Sequence, residues 1–297
     1  MCNVAITRYA TATVAIGGHA AARRGSPGHD ALIAAALRRA SLSGAEGSLV
    51  SDFPVGAGLG GSSAAGVALA GALASLAGDQ IDRGELAALS RATEVEELGV
   101  SGGFQDHYAA AYGGALLLTF EGCVGVEPLS LARPTCEALA RRGVLIYTGE
   151  SRISGATVAA VLDAYKAREP RVCDALARMK ALAYEMAAAL RRADIDALGA
   201  LVGEHWVHQR ALHPSITTPR IDAIMEGARR AGALGGKALG ASGGGCVLLF
   251  AAEGHEDELA EALAPLGERL TWAVDSCGFE VVAVMNEEHE SPDEEIA

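Results

Sequence analysis

A glycine-rich segment, Pro54-Val55-Gly56-Ala57-Gly58-Leu59-Gly60-Gly61-Ser62-Ser63, constrains this chain more than any other feature. It follows a strand-like run, Ser48 to Phe53, that Pro54 stops, and it leads into an alanine-rich helix reaching about Ala77. Glycines at alternate positions let backbone N–H groups converge on one point, and a helix N-terminus adds about half a positive charge there. The segment is therefore a candidate phosphate cradle formed by Pro54, Gly56, Gly58, Leu59, Gly60, Gly61, Ser62 and Ser63. It lacks the Gly-Lys-Ser/Thr ending of a Walker loop. The plainer alternative is a tight strand-to-helix turn with Ser62 as N-cap.

At 297 residues the chain exceeds the usual size of one hydrophobic core, so two domains are expected, 1–138 and 139–297. Half the residues are hydrophobic, which excludes a disordered chain as a whole, and with aromatics at 4% the cores must be filled by alanine, leucine and valine. The formal charge of −13 argues against a cationic nucleic-acid groove. The six cysteines form no Cys-x-x-Cys pair, which fits reduced thiols in a cytoplasmic protein. No apolar run reaches the ~18 residues of a spanning helix and the start has no leader pattern, so no membrane partner is expected.

Further elements follow from periodicity and punctuation. Val4 to Ile16 reads as strand material, Asp30 to Ala40 as a helix capped by Asp30, and Arg83 to Leu98 as a helix ended by Gly99. Ala115 to Thr119 and Gly143 to Thr148 suit buried strands, with an irregular, proline-containing stretch from Phe120 to Leu139 between them. Ser154 to Ala231 is helical, broken at Pro170, Asp194 and His213-Pro214, with Pro219 in the first turn of the last helix. A second glycine loop, Gly235 to Gly245, precedes strand Cys246 to Phe250, helix Glu256 to Leu266, strand Phe279 to Met285 and an acidic tail, Glu287 to Ala297.

The run from Pro54 through Gly58-Leu59-Gly60 to Ser62-Ser63-Ala64 resembles the second signature motif of the galactokinase, homoserine kinase, mevalonate kinase and phosphomevalonate kinase (GHMP) superfamily. Lys237-Ala238-Leu239-Gly240-Ala241-Ser242-Gly243-Gly244-Gly245-Cys246 is similar to its third motif. Gln105-Asp106-His107-Tyr108-Ala109-Ala110-Ala111-Tyr112-Gly113-Gly114, Tyr147-Thr148-Gly149 and Glu204-His205-Trp206 resemble bacterial heptose 7-phosphate kinases more than other branches. The resemblance implies an α+β, two-domain GHMP kinase fold. An amino-terminal domain like the second domain of ribosomal protein S5 would carry the first glycine loop, and a ferredoxin-like carboxy-terminal domain the second, with ATP in the cleft.

The same resemblance implies roles. Asp106 falls on the aspartate that faces the acceptor hydroxyl; without that role it would be the N-cap of a short His107 to Tyr112 helix. Ser62 and Glu94 fall on the magnesium-binding serine and glutamate, and one hydroxyl and one carboxylate beside ATP oxygens suit Mg2+. For Glu94 the alternative is a solvated helix face, since Glu96 and Glu97 lie alongside. Arg152, Gly243 and Gly244 are candidate substrate-binding residues, and Arg210 is a weaker one at the end of the Glu-His-Trp helix. His205 and His208 lack a third ligand and are expected to be structural.

The expected activity is ATP- and Mg2+-dependent phosphorylation of a sugar, with the anomeric hydroxyl of a heptose 7-phosphate as acceptor. A kinase for fucose, glucuronate or a cyclitol, and a non-catalytic sugar- or nucleotide-binding relative, are the alternatives. The family's opening Arg-x-Pro-x-Arg strand and Gly-Gly-x-Thr-Asp loop have no counterpart before Asn3. Either the true start lies upstream, or a shortened protein is expected to have an open sheet edge near Val4 to Ile16, to lack acceptor contacts and to have reduced or altered activity. His107 stands where the family has glutamine, and Ser242 where it has glycine. Oligomeric state is left open, a homodimer being one option.

Overall fold

The computed structural model describes residues 1–17, 29–100, 102–150 and 155–282. Among them the ladders are antiparallel and fall into separate sheets. β1 (Cys2–Val4) pairs with β4 (Ala115–Glu121), which pairs with β5 (Cys123–Leu129). β2 (Ala10–Ile16) pairs along its length with β3 (Ala45–Ser51). In the carboxy-terminal half β6 (Gly143–Tyr147), β7 (Gly235–Ala238), β8 (Cys246–Phe250) and β9 (Glu268–Leu270) form one sheet in the order β7-β8-β6-β9.

The helices explain why alanine and leucine dominate. α2 (Gly61–Ala77) is apolar around its whole circumference because it is covered on two sides. Ala65, Leu69 and Leu73 pack with Leu49 of β3 and with Leu32 and Ala36 of α1 (Asp30–Ala40). Val67 and Ala70 pack with Leu86 of α3 (Arg83–Ala92), Tyr108 of α4 (Gln105–Tyr112) and Leu116 of β4. β4 is buried on both faces, and its period of two divides its side chains accordingly. Leu116 and Leu118 join the α2–α4 core, whereas Ala115 and Leu117 join Leu182, Met186 and Leu190 of α7 (Pro170–Arg191).

α8 (Ile195–Leu212) runs back along α7, its start capped by Asp194, whose carboxylate accepts from the Ala197 N–H at 3.0 Å. Thr218 caps α9 (Pro219–Arg230), and Pro219 fills its first turn as the sequence predicts. One face of the four-stranded sheet packs Val144, Ile146, Val247 and Leu249 against Trp206, Ile221 and Ile224, with Leu259 and Leu263 of α10 (Glu256–Leu263). The opposite face turns Leu145 and Cys246 onto Ala57 of the first glycine loop. This two-domain α+β arrangement is the fold the sequence predicts.

Several local expectations are corrected. Val4 to Ile16 is not one strand. It divides into β1 and β2 in different sheets because the chain between them pairs elsewhere: Thr7 N–H donates to Ala273 O at 2.9 Å, and the Arg8 guanidinium donates to Thr271 O at 2.7 Å. Phe120 to Leu139 is ordered, as β5 and α5 (Arg133–Arg142). Its prolines are tolerated because Pro128 lies on an edge strand and Pro134 in a first helical turn. α1 begins at Asp30, with His29 and not Asp30 in the cap position. Gly235 to Ala238 is strand, so the second glycine loop starts at Leu239. Phe279 to Val282 is not strand, and the rest of that expected element and the acidic tail lie outside the described residues.

Candidate active site

The first glycine loop takes the backbone path that its glycines permit. Gly56, Gly58 and Gly60 each have φ of +74°, in the left-handed region that L side chains avoid. Gly60 is the N-cap of α2 and no side chain caps the helix, so the alternative with Ser62 as N-cap is overturned. The first-turn N–H groups of α2 are left facing outward, the arrangement that suits an anion.

The two glycine loops meet backbone to backbone. Cys246 N–H donates to Ala57 O at 2.8 Å. A Cβ placed on Gly58 would stand 2.9 Å from Leu239 O, and one on Gly245 would stand 2.6 Å from Ala57 O. Gly243 and Gly244, with φ of +88° and +148°, lie in this contact region. Gly243 N–H donates to Ile216 O at 2.9 Å, and a Cβ on Gly244 would meet Glu150 O at 2.7 Å. Loops from opposite halves of the chain are therefore packed directly on each other.

Ser62 turns its hydroxyl to Glu94, donating to Oε1. Glu94 reaches this place because α3 widens after Ala92 into a π-helical turn, Thr93–Glu97, in place of the regular helix expected to Leu98. Such a turn shifts side chains off their α-helical faces and often marks functional sites. Glu94 is buried at 7% exposure, while Glu96 and Glu97 point away to Arg39 and Arg38 at 2.9 and 3.6 Å. The three neighbouring carboxylates are thus sorted, and the solvated-face alternative does not hold for Glu94. His107 lies 3.1 Å from Glu94 Oε2 through Nε2. That hydrogen bond, with the Ser62 hydroxyl, holds the Glu94 carboxyl below its ordinary value despite burial.

Asp106 occupies the first turn of α4, whose N-cap is Phe104, so it is not a helix cap. Its side chain lies against the first glycine loop: a Cβ on Gly60 would be 3.1 Å from Asp106 Cβ and 3.2 Å from Cγ. One side of Asp106 is open to solvent, yet the protein around the rest pushes its carboxyl upward, an effect the Glu94 charge adds to and His107 and Lys237 oppose. Lys237 of β7 is drawn down to about 8 by burial, with Asp106 holding it up. His205 of α8 is pushed down to about 3, first by burial and then by the Lys237 and His208 charges. Its Nδ1 has no hydrogen-bond partner among the described residues.

Hence the structure brings together Ser62, Glu94 and Asp106 at the first glycine loop, whereas Gly243 and Gly244 contact Ile216 and Glu150 beside the junction that Gly245 and Cys246 make with Ala57. Arg210 is exposed in the last turn of α8, without an ion pair or hydrogen bond among the described residues. Arg152 lies outside the described residues. Two contributors, His107 and Lys237, lie within the motif-like segments but were given no role from sequence. The signal for Lys237 was available, as a lysine between Gly236 and Ala238 in an otherwise apolar strand. A hydroxyl and a carboxylate oxygen in direct contact are hard oxygen donors of the kind Mg2+ takes, so Ser62 and Glu94 fit that ion.

Comparison with known proteins assigns this arrangement of two glycine loops and two carboxylates to a family. The family model for the GHMP kinases N terminal domain matches residues 29–114, and that for the GHMP kinases C terminal matches residues 186–268. The chain belongs to the GHMP kinase family. It is 31% identical over 218 residues to a D-glycero-alpha-D-manno-heptose 7-phosphate kinase of Campylobacter jejuni, covering 72% of this chain and 63% of that protein. It is also 31% identical over 247 residues to a galactokinase of Mycobacterium tuberculosis, covering 73% and 67% respectively. Among solved structures, a D-glycero-D-manno-heptose 1-phosphate kinase from Bacteroides thetaiotaomicron superposes with a TM-score of 0.73 at 22% identity, over 95% of this chain and 90% of that one. The R-mevalonate complex of the L. major mevalonate kinase superposes with a TM-score of 0.72 at 20% identity, over 93% and 89%. No helix among the described residues is long and apolar enough to cross a membrane.

Proposed function

We propose that the protein transfers the γ-phosphoryl group of ATP to a sugar hydroxyl, the acceptor being the anomeric hydroxyl of a heptose 7-phosphate. The observation that carries this reading is the convergence of Ser62, Glu94 and Asp106 at the start of α2, where Asp106 lies against Gly60. The loop amides and first-turn N–H groups of α2 hold the nucleotide phosphates. Ser62 and Glu94 would hold Mg2+, which when bound would neutralise phosphate charge. In the transfer, the acceptor oxygen bonds to Pγ, the bond from Pγ to the β–γ bridging oxygen breaks, and ADP leaves. The acceptor proton passes to the Asp106 carboxylate. A carboxyl pushed upward by its surroundings is a better proton acceptor than one at its ordinary value. Lys237 places a cation near Asp106 and favours its ionised form before the proton arrives.

The heptose assignment is supported by the curated heptose 7-phosphate kinase and by the Gln105-Asp106-His107-Tyr108, Tyr147-Thr148-Gly149 and Glu204-His205-Trp206 segments. A panel of heptose 7-phosphate, free heptose, galactose, fucose, glucuronate and mevalonate, followed by coupled ADP release, tests it. Preference for heptose 7-phosphate is the expected result. Preference for an unphosphorylated six-carbon sugar rejects the heptose assignment and leaves phosphoryl transfer standing, whereas no ADP release with any acceptor rejects the enzymatic reading.

A further inference from the structure

His107 is 1% exposed, and both of its ring nitrogens have partners. Nδ1 lies 2.9 Å from Ser90 Oγ, and Nε2 lies 3.1 Å from Glu94 Oε2 with a longer approach of 3.3 Å to Ser63 Oγ. A carboxylate oxygen only accepts, so the hydrogen belongs on Nε2, and the Ser90 hydroxyl then donates to Nδ1. Ser90 has its alternative acceptor, Ser63 O, only at 3.5 Å, so the imidazole is the better partner. Ser90 can sit there because α2 carries glycine opposite: a Cβ on Gly66 would stand 2.5 Å from Ser90 Oγ. Three elements thus contribute to one chain of hydrogen bonds, Ser90 to His107 to Glu94, with Ser62 at its far end.

The chain of contacts distinguishes the two oxygens of Glu94. Oε2 is taken by an imidazole N–H that has no exit to solvent, and Oε1 is left with Ser62 Oγ at the mouth of the first glycine loop. We propose that His107 is a positioning residue: it fixes the Glu94 carboxylate through Oε2 so that Oε1, beside Ser62 Oγ, is the oxygen presented to the divalent cation of a bound nucleotide. The inference rests on the phosphotransferase reading above. Partners of this kind orient a metal ligand and set its basicity, and their loss typically weakens metal binding about 10–100-fold.

Binding, and not turnover, provides the test. Mn2+ is titrated into the full chain saturated with ADP, with free Mn2+ followed by electron paramagnetic resonance, and ADP affinity is measured separately in EDTA. His107→Leu should weaken Mn2+ about 10–100-fold and leave metal-free ADP affinity unchanged. His107→Gln, whose amide N–H can replace Nε2–H, should restore Mn2+ affinity to within about threefold. Ser90→Ala, which frees the imidazole to change tautomer, should fall between them and serves if His107→Leu does not fold. In a Glu94→Gln background His107→Leu should have no further effect, since coupled residues are non-additive. Wild-type Mn2+ affinity in His107→Leu or Ser90→Ala, or a loss in His107→Gln equal to that in His107→Leu, overturns the positioning role alone. Absence of nucleotide-dependent Mn2+ binding in the wild type overturns the phosphotransferase reading with it.

Discussion

Replacing Gly60 by alanine separates the two demands that the first glycine loop places on that position. The first is conformational: at φ of +74° an L residue costs about 1–2 kcal/mol. The second is spatial, since the new Cβ would meet Asp106 Cβ at 3.1 Å and Cγ at 3.2 Å, inside the ~3.5–4.0 Å of an unstrained carbon contact. Asp106 must then retreat by several tenths of an ångström. A displacement of 1 Å at a reacting group costs about 10²-fold, so half of that predicts a loss of about tenfold in turnover. Gly78, with φ of +79° and nothing within 4 Å of its added Cβ, makes the matched control. Gly60→Ala and Gly78→Ala should both lose about 1–2 kcal/mol in urea unfolding, and only Gly60→Ala should lose turnover in an ADP-release assay at saturating ATP. Equal turnover in two folded variants would show that the approach of Gly60 to Asp106 does not govern the chemistry.

Other consequences can be measured with the same assays. Asp106→Asn should lower turnover about 10²–10⁴-fold while nucleotide affinity, read by calorimetry, stays within a few-fold; near-normal turnover would remove Asp106 from the reaction. His205 has a folded value of about 3, below its ordinary 6.5, so the unfolded chain takes up the proton first. The stability this gives is complete above pH 6.5 and is lost as the pH falls towards 3. Between pH 7.5 and 5 the wild type should lose about 2 kcal/mol relative to His205→Leu, and parallel unfolding curves would contradict it. Ser242 holds φ of +70° and its buried hydroxyl has no partner among the described residues, so Ser242→Gly should stabilise the chain by about 1 kcal/mol, with a raised melting temperature as the readout.

Local chemistry by itself determined much of this molecule. Proline punctuation and the break at Asp194 located α7, α8 and α9 to within a residue or two, because helix ends are set by capping and by the missing N–H of proline, both properties of short segments. The glycines from Gly56 to Gly60 marked a loop free to bend its backbone, and all three take φ of +74°. Pairing was beyond local signals. Nothing in Val4 to Ile16 announces that Thr7 and Arg8 will be claimed by residues 271–273, since strand partners are chosen by hydrogen bonds closed across the whole chain. The site divides in the same way. Ser62, Glu94 and Asp106 could be nominated from motifs, but Glu94, Glu96 and Glu97 are indistinguishable as letters. Only the π-helical turn and the arginines of α1 decide which carboxylate is buried against Ser62 and which two face outward. The roles of His107 and Lys237 are tertiary for the same reason: each depends on a charged or polar neighbour brought near by packing, and the effect of burial on a titrating group exists only after the chain has folded around it.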